Sequence, residues 1–285
     1  MKLQKANKYN ILANHARYSK KDDENAVSIG HGRRTFKKLM PADTVYVTSV
    51  RHPASQFESM YKYYKLSNRF GVNIRQFAKS PLKYFVKSKS ESKRLRQSGV
   101  NPMLFDLGLK KKYLRDANRI KRKIREIENN FKLVIIVEYF DESLILLKDM
   151  MCWEFLDIAY FTVNARIEDE IEELSQDSKD NLTAWNEGDM MLYNHFNKTL
   201  WRKIEKFGFE RMESELEIFH GVIDPLKDIC LNGNKHIHGG KTKILKYEAK
   251  RMPSSEDNYL CKSLTRKPQE YLEVLRKKMK TMYRM

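Results

Sequence analysis

The sequence predicts an α/β fold, a parallel sheet with crossover helices, followed by a helical and basic C-terminal part. Three observations carry that expectation. Residues 44–50 (TVYVTSV) are β-branched and aromatic with almost no charge, the composition of a buried strand. Residues 131–138 (FKLVIIVE) are the strongest strand run in the chain and read as central, parallel and buried on both faces. Strand, helix, strand and helix then alternate with long connections, which means a parallel, doubly wound sheet.

At 285 residues and 41% apolar content the chain can bury one large core or two modest ones, and it reads as a single domain over residues 1–285. No apolar run reaches the roughly 18 residues of a membrane span, and no signal-peptide pattern opens at Met1. The charge is 55 Lys and Arg against 37 Asp and Glu, a net +18. Such a balance calls for polyanionic company: nucleotide phosphates, sulfated glycans, nucleic acid or an acidic membrane.

Residues 9–18 (YNILANHARY) form a short apolar run that ends around His15. A histidine at a strand end is placed for general-base work near neutral pH, and a hydrogen-bonded structural histidine is the other reading. Residues 20–38 are polar and read as a loop, with a helical turn over 35–40 that Pro41 ends. After the first strand, Arg51-His52-Pro53 stops the ladder, because proline lacks a donor and suits the first turn of a helix. Phe57, Met60, Tyr61 and Tyr64 then fall at helical spacing. The bend leaves an arginine at the carboxyl end of a strand and open amides at a helix N-terminus, where open α/β sheets bind anions. Ser59 follows Arg51 by eight residues, so a guanidinium fork and a hydroxyl could converge on one phosphate. A capped helix beside a solvated arginine is equally compatible with these residues alone.

Further along, residues 73–85 suggest a helix broken at Pro81, and 87–97 (KSKSESKRLRQ) an exposed loop. Residues 115–130 are an amphipathic helix with Ile120, Ile124 and Ile127 on one face and basic residues elsewhere. No aromatics interleave those charges for stacking on bases, so this helix covers a sheet rather than binding nucleic acid. Asp141 and Glu142 open a helix and complement its dipole. Residues 153–165 suggest one more strand, 167–178 a loop or short helix, and 184–207 a long helix. Residues 209–219 continue as helix that Pro225 interrupts, 232–258 read as a flexible loop, and the chain beyond Gln269 is helical and basic.

The three cysteines lack metal-ligand spacing, so no metal is expected. Cys230 and Cys261 flank the loop and are a disulfide candidate, which requires an oxidising compartment. Asn181 and Asn197 head glycosylation sequons. Gly239-Gly240-Lys241-Thr242 ends like a P-loop, but Lys235 stands where the first glycine belongs and no strand precedes it, so it is rejected as a triphosphate site.

Arg51-His52-Pro53 with Ser59 and Tyr61 resembles the 3′-phosphate-binding element of sulfotransferases, which use 3′-phosphoadenosine 5′-phosphosulfate (PAPS) as donor. The His15-x-Arg17-Tyr18 element, the run Glu138 to Leu144 (EYFDESL) and Tyr193-x-His195-Phe196-Asn197 resemble the galactosylceramide sulfotransferase and galactose 3-O-sulfotransferase family. That resemblance implies a P-loop-like sulfotransferase fold and transfer of a sulfuryl group from PAPS to the 3-hydroxyl of a galactose on a glycolipid or glycoprotein. It implies His15 as base and Arg51 and Ser59 as the grip on the 3′-phosphate, with no metal and no nucleic acid involved. It also implies a lumenal Golgi location, with a membrane anchor and a lysine-bearing 5′-phosphosulfate loop upstream of His15. No such loop occurs before His15, so the expectation is an N-terminally truncated member of low activity. The rival expectation is a non-enzymatic polyanion-binding module of nucleic-acid or heparin type, whose binding would depend steeply on salt.

Overall fold

The computed structural model describes residues 17–18, 40–88, 99–162, 174–239 and 242–266, together with 270, 271, 273, 274, 277 and 281. The chain divides into two compact units, one of Met1–Ser143 with Leu174–Lys206, the other of Leu144–Glu173 with Phe207–Met285.

In the first unit the strand read from TVYVTSV is β1 (Val47–Val50). Helices α1 (Pro53–Tyr63), α2 (Leu66–Phe70), α3 (Ile74–Lys79) and α4 (Pro81–Ser88) follow it. The break expected at Pro81 is the boundary between α3 and α4. A short helix, α5 (Pro102–Asp106), precedes the amphipathic α6 (Ala117–Asn130), which buries Ile120, Ile124 and Ile127 as their spacing requires. Strand β2 (Leu133–Ile136) is buried at all four positions and pairs with β1 in parallel, Val47 opposite Leu133 and Val50 opposite Ile136. Among the described residues these two strands are the whole parallel sheet. β1 is less enclosed than its composition suggests, with Ser49 exposed. Helix α7 (Phe140–Met151) opens with Asp141 and Glu142, as expected, and carries the chain from one unit into the other. α8 (Gln176–Trp185) and α9 (Glu187–Phe207) return it to the first.

An aromatic core holds this unit together. Phe57 and Phe77 are fully buried and stack at 5.3 Å, with Phe70 4.6 Å and Trp185 6.3 Å from Phe77. Each buried polar tip has a partner, the Tyr61 hydroxyl donating to Val72 O at 2.7 Å and the Trp185 indole to Gly99 O at 2.6 Å.

The second unit contains α10 (Phe209–Cys230), β3 (Leu231–Gly239), β4 (Thr242–Ala249) and α11 (Ser255–Thr265). Three sequence expectations are corrected here. Residues 153–162 form no strand, because Glu154 and Asp157 cap each other around a 3-10 turn, Phe155–Asp157. Pro225 does not interrupt α10, whose buried stripe of Phe219, Ile223 and Cys230 continues across it. The carbonyl that loses its helical donor there belongs to Gly221, whose backbone adapts most readily. The expected flexible loop over 232–258 is largely an antiparallel hairpin, with Asn234 opposite Tyr247, Gly239 opposite Thr242 and a bulge near Gly233, followed by the start of α11. Tyr247 and Ala249 pack on a cluster of Phe161, Cys230 and Cys261. The expected Cys230–Cys261 disulfide is formed and ties the end of α10 to α11.

Candidate functional site

The carboxyl ends of β1 and β2 lie side by side, so the residues that follow each strand emerge at one edge. From β1 come Arg51 and His52, and from β2 come Val137 and Glu138. The bend after β1 is tied at two successive amides. The Arg51 N–H donates to Sδ of Met103 at 3.5 Å, and the His52 N–H donates to Oε1 of Glu138 at 2.8 Å. On the β2 side, buried Ser143 closes the turn, accepting from Ile136 N at 3.4 Å and donating to Tyr139 O at 2.7 Å.

Pro53 occupies the first turn of α1 and brings no N–H, while His52 supplies no side-chain cap. The open amides of that turn are those of Ala54 and Ser55, which have no partner among the described residues. The half-buried Arg51 guanidinium has no hydrogen bond or ion pair among the described residues either. Arg51 and these amides lie within five consecutive residues at the helix start, where the helix dipole favours an anion. Ser59 stands six residues after Pro53, which by helical rise is roughly 9 Å along α1. At about 100° per residue it falls on the side away from Phe57, in line with Ser55 one turn before.

Tyr193 of α9 completes the edge. Its ring meets the His52 ring edge to face at 5.4 Å, and Glu138 is among the charges that act on its hydroxyl. Burial and the neighbouring Glu138 charge push its hydroxyl up to about 12, so it stays a neutral donor.

Behind this edge, α5 is held by a buried polar network. Asp189 accepts from the amides of Met103 (3.0 Å) and Leu104 (2.9 Å), and Asn101 Oδ1 accepts from the Asp189 amide at 2.9 Å. Asn101 also donates from Nδ2 to Leu114 O at 2.6 Å, and its own N–H reaches Asn186 Oδ1 at 2.9 Å. Burial pushes the Asp189 carboxyl up to about 7, although both amides favour its charged form.

His15, the base implied by resemblance, lies outside the described residues, as does most of the stretch 87–97 read as an exposed loop. Two residues on, Arg17 is fixed against α5. Its Nε donates to Phe105 O and its terminal nitrogen to Leu109 O, both at 2.7 Å, while its guanidinium lies 4.0 Å over the Phe105 ring. The Tyr18 amide reaches Asp106 O at 2.8 Å. The described part of the His15-x-Arg17-Tyr18 element thus docks on the helix that supports the Arg51 bend through Met103. Both sequons lie within helices, Asn181 exposed on α8 and Asn197 half-buried on α9.

Glu138 and Tyr193 were given no role by sequence reasoning, although each stands in a run that carried the family resemblance. The available signal was an acid immediately after the strongest apolar strand. For Tyr193, at helical spacing within a long helix, a core position is the ordinary reading.

The family described as Galactose-3-O-sulfotransferase matches residues 2–278. The chain belongs to that family. It is 32% identical over 286 residues to a galactosylceramide sulfotransferase of Homo sapiens, an alignment covering 93% of this chain and 63% of that protein. It is 27% identical to galactose-3-O-sulfotransferase 2 of Mus musculus, covering 90% and 65%. The chain therefore spans about two thirds or less of the length of these relatives. No solved structure matches it.

Proposed function

We propose that this chain is part of a sulfotransferase that moves a sulfuryl group from PAPS to the 3-hydroxyl of a galactose residue on a glycolipid or glycoprotein. The observation that carries the reading is the half-buried Arg51 at the carboxyl edge of the parallel strands, its guanidinium without a partner among the described residues, close in sequence to the amides of Ala54 and Ser55, which are likewise open among them. A 3′-phosphate suits that set: the guanidinium offers two donors to one anion, and the helix start adds fixed positive charge. Ser59 supplies a further hydroxyl donor from α1. His15 takes the proton of the galactose hydroxyl as its oxygen attacks sulfur, and the bond from sulfur to the 5′-phosphate oxygen breaks in line, leaving both electrons on that phosphate. We also propose a lumenal Golgi location for the parent protein, which the Cys230–Cys261 disulfide supports, since such bonds persist in oxidising compartments.

The test is transfer of labelled sulfate from PAPS to a β-galactoside, using this chain and a version extended upstream by the lysine-bearing loop that the resemblance implies. Linkage analysis locates the product. Donor-dependent 3-O-sulfation that His15→Ala lowers by about 10² or more supports the assignment. No product from the extended chain, or full activity in His15→Ala, contradicts it.

A further inference from the structure

Three residues remote in sequence meet behind the bend after β1. Glu138 accepts the His52 backbone N–H at 2.8 Å, while the Tyr193 ring packs edge to face on the His52 ring. Tyr193 is 8% exposed within α9, so its ring gives His52 a packed neighbour while Glu138 holds the His52 amide. A carboxylate near an anion site would repel the ligand if it pointed freely into it. Here Oε1 accepts from the His52 amide of the chain itself, which turns an adverse charge into a brace.

We propose that Glu138 is the positioning residue of the donor site, fixing the Arg51-His52 bend so that the Arg51 guanidinium and the amides of Ala54 and Ser55 face one phosphate. The inference rests on the reading of Arg51 as a phosphate grip. Glu138 touches neither donor nor acceptor in this account; it acts through the His52 backbone. Met103 secures the preceding amide through its sulfur, a weaker acceptor, so Glu138 carries the greater part of the restraint.

Calorimetric titration of the whole chain with adenosine 3′,5′-bisphosphate tests this, with melting curves run alongside. The set is wild type, Arg51→Ala, Glu138→Ala, Glu138→Gln and the Arg51→Ala, Glu138→Ala double variant. Glu138→Ala is expected to bind about tenfold more weakly. Glu138→Gln, whose amide oxygen still accepts from His52, is expected to keep most of the affinity. In the Arg51→Ala background, removing Glu138 is expected to cost clearly less than it does in wild type, the non-additivity of residues acting as one unit. Unchanged affinity in Glu138→Ala, or fully additive losses in the double variant, would overturn the proposal. Should Glu138→Ala fail to fold, Glu138→Asp keeps the charge and draws the carboxylate back from the His52 amide. A loss of about threefold is expected there, and none would overturn the brace. Wild type that fails to bind, or Arg51→Ala that binds as tightly as wild type, removes the donor-site reading itself; the brace fails alone only when Arg51 matters and Glu138 does not.

Discussion

Asp189 shows how one buried group can set a pH dependence. Burial raises its carboxyl to about 7 from an ordinary 3.8. The folded state therefore holds its proton more firmly than the unfolded state between about pH 4 and pH 7. Stability from that extra affinity is present in full below about pH 4 and is lost as pH rises through about 7. Asp189→Asn imitates the neutral form, so urea melts at pH 5 and pH 8 should show the variant gaining on wild type as pH rises. A variant that loses ground instead would mean that the Met103 and Leu104 amides outweigh burial. The bend that carries Arg51 and the helix that carries Ser59 could be read in the sequence because a strand, a proline and a helical period mark them. Glu138 and Tyr193 could not be paired in that way, since nothing local in either run says which distant backbone amide or side chain it will meet.

Among the elements, α5 depends on a close approach that only glycine permits. A methyl group at Gly188 would lie 2.7 Å from Nδ2 of Asn101 and 2.9 Å from Cδ1 of Ile120. Both neighbours are buried, and Asn101 is already engaged by Leu114 and Asp189. Gly188→Ala should cost about 1–3 kcal/mol by denaturant melting, because the asparagine has nowhere to turn. In the second unit the Cys230–Cys261 bond spans a sequence separation of 31 residues. Loop-entropy arguments give it about 3–4 kcal/mol, so Cys230→Ser with Cys261→Ser should lower stability by that order, and wild type should melt earlier under reducing conditions. The elements legible in the sequence were those with a long single period, such as α6 and α9, or an unbroken apolar run, such as β2. The hairpin of β3 and β4 was not, because glycine and histidine mask a ladder made by backbone pairing. The 3-10 turn at Phe155–Asp157 defeated a β-like composition through local capping, and Pro225 was a misleading stop signal because the buried stripe of α10 runs on past it.

At the scale of the whole molecule, a net charge of +18 attracts any polyanion, and charge alone does not distinguish a donor nucleotide from a sulfated glycan. What distinguishes them is whether one phosphate is recognised at one place. The proposed recognition is local: two parallel strands end together, a helix begins there, and Arg51 stands at the junction without a partner among the described residues. A diffuse electrostatic attraction would fall with salt for every anion alike. The deciding measurement is the affinity of the chain for adenosine 3′,5′-bisphosphate against adenosine 5′-phosphate at fixed ionic strength, in wild type and in Arg51→Ala. The account predicts that wild type prefers the bisphosphate by about tenfold or more and that Arg51→Ala abolishes the preference. Equal binding of the two nucleotides by wild type, or a preference that survives Arg51→Ala, would contradict it.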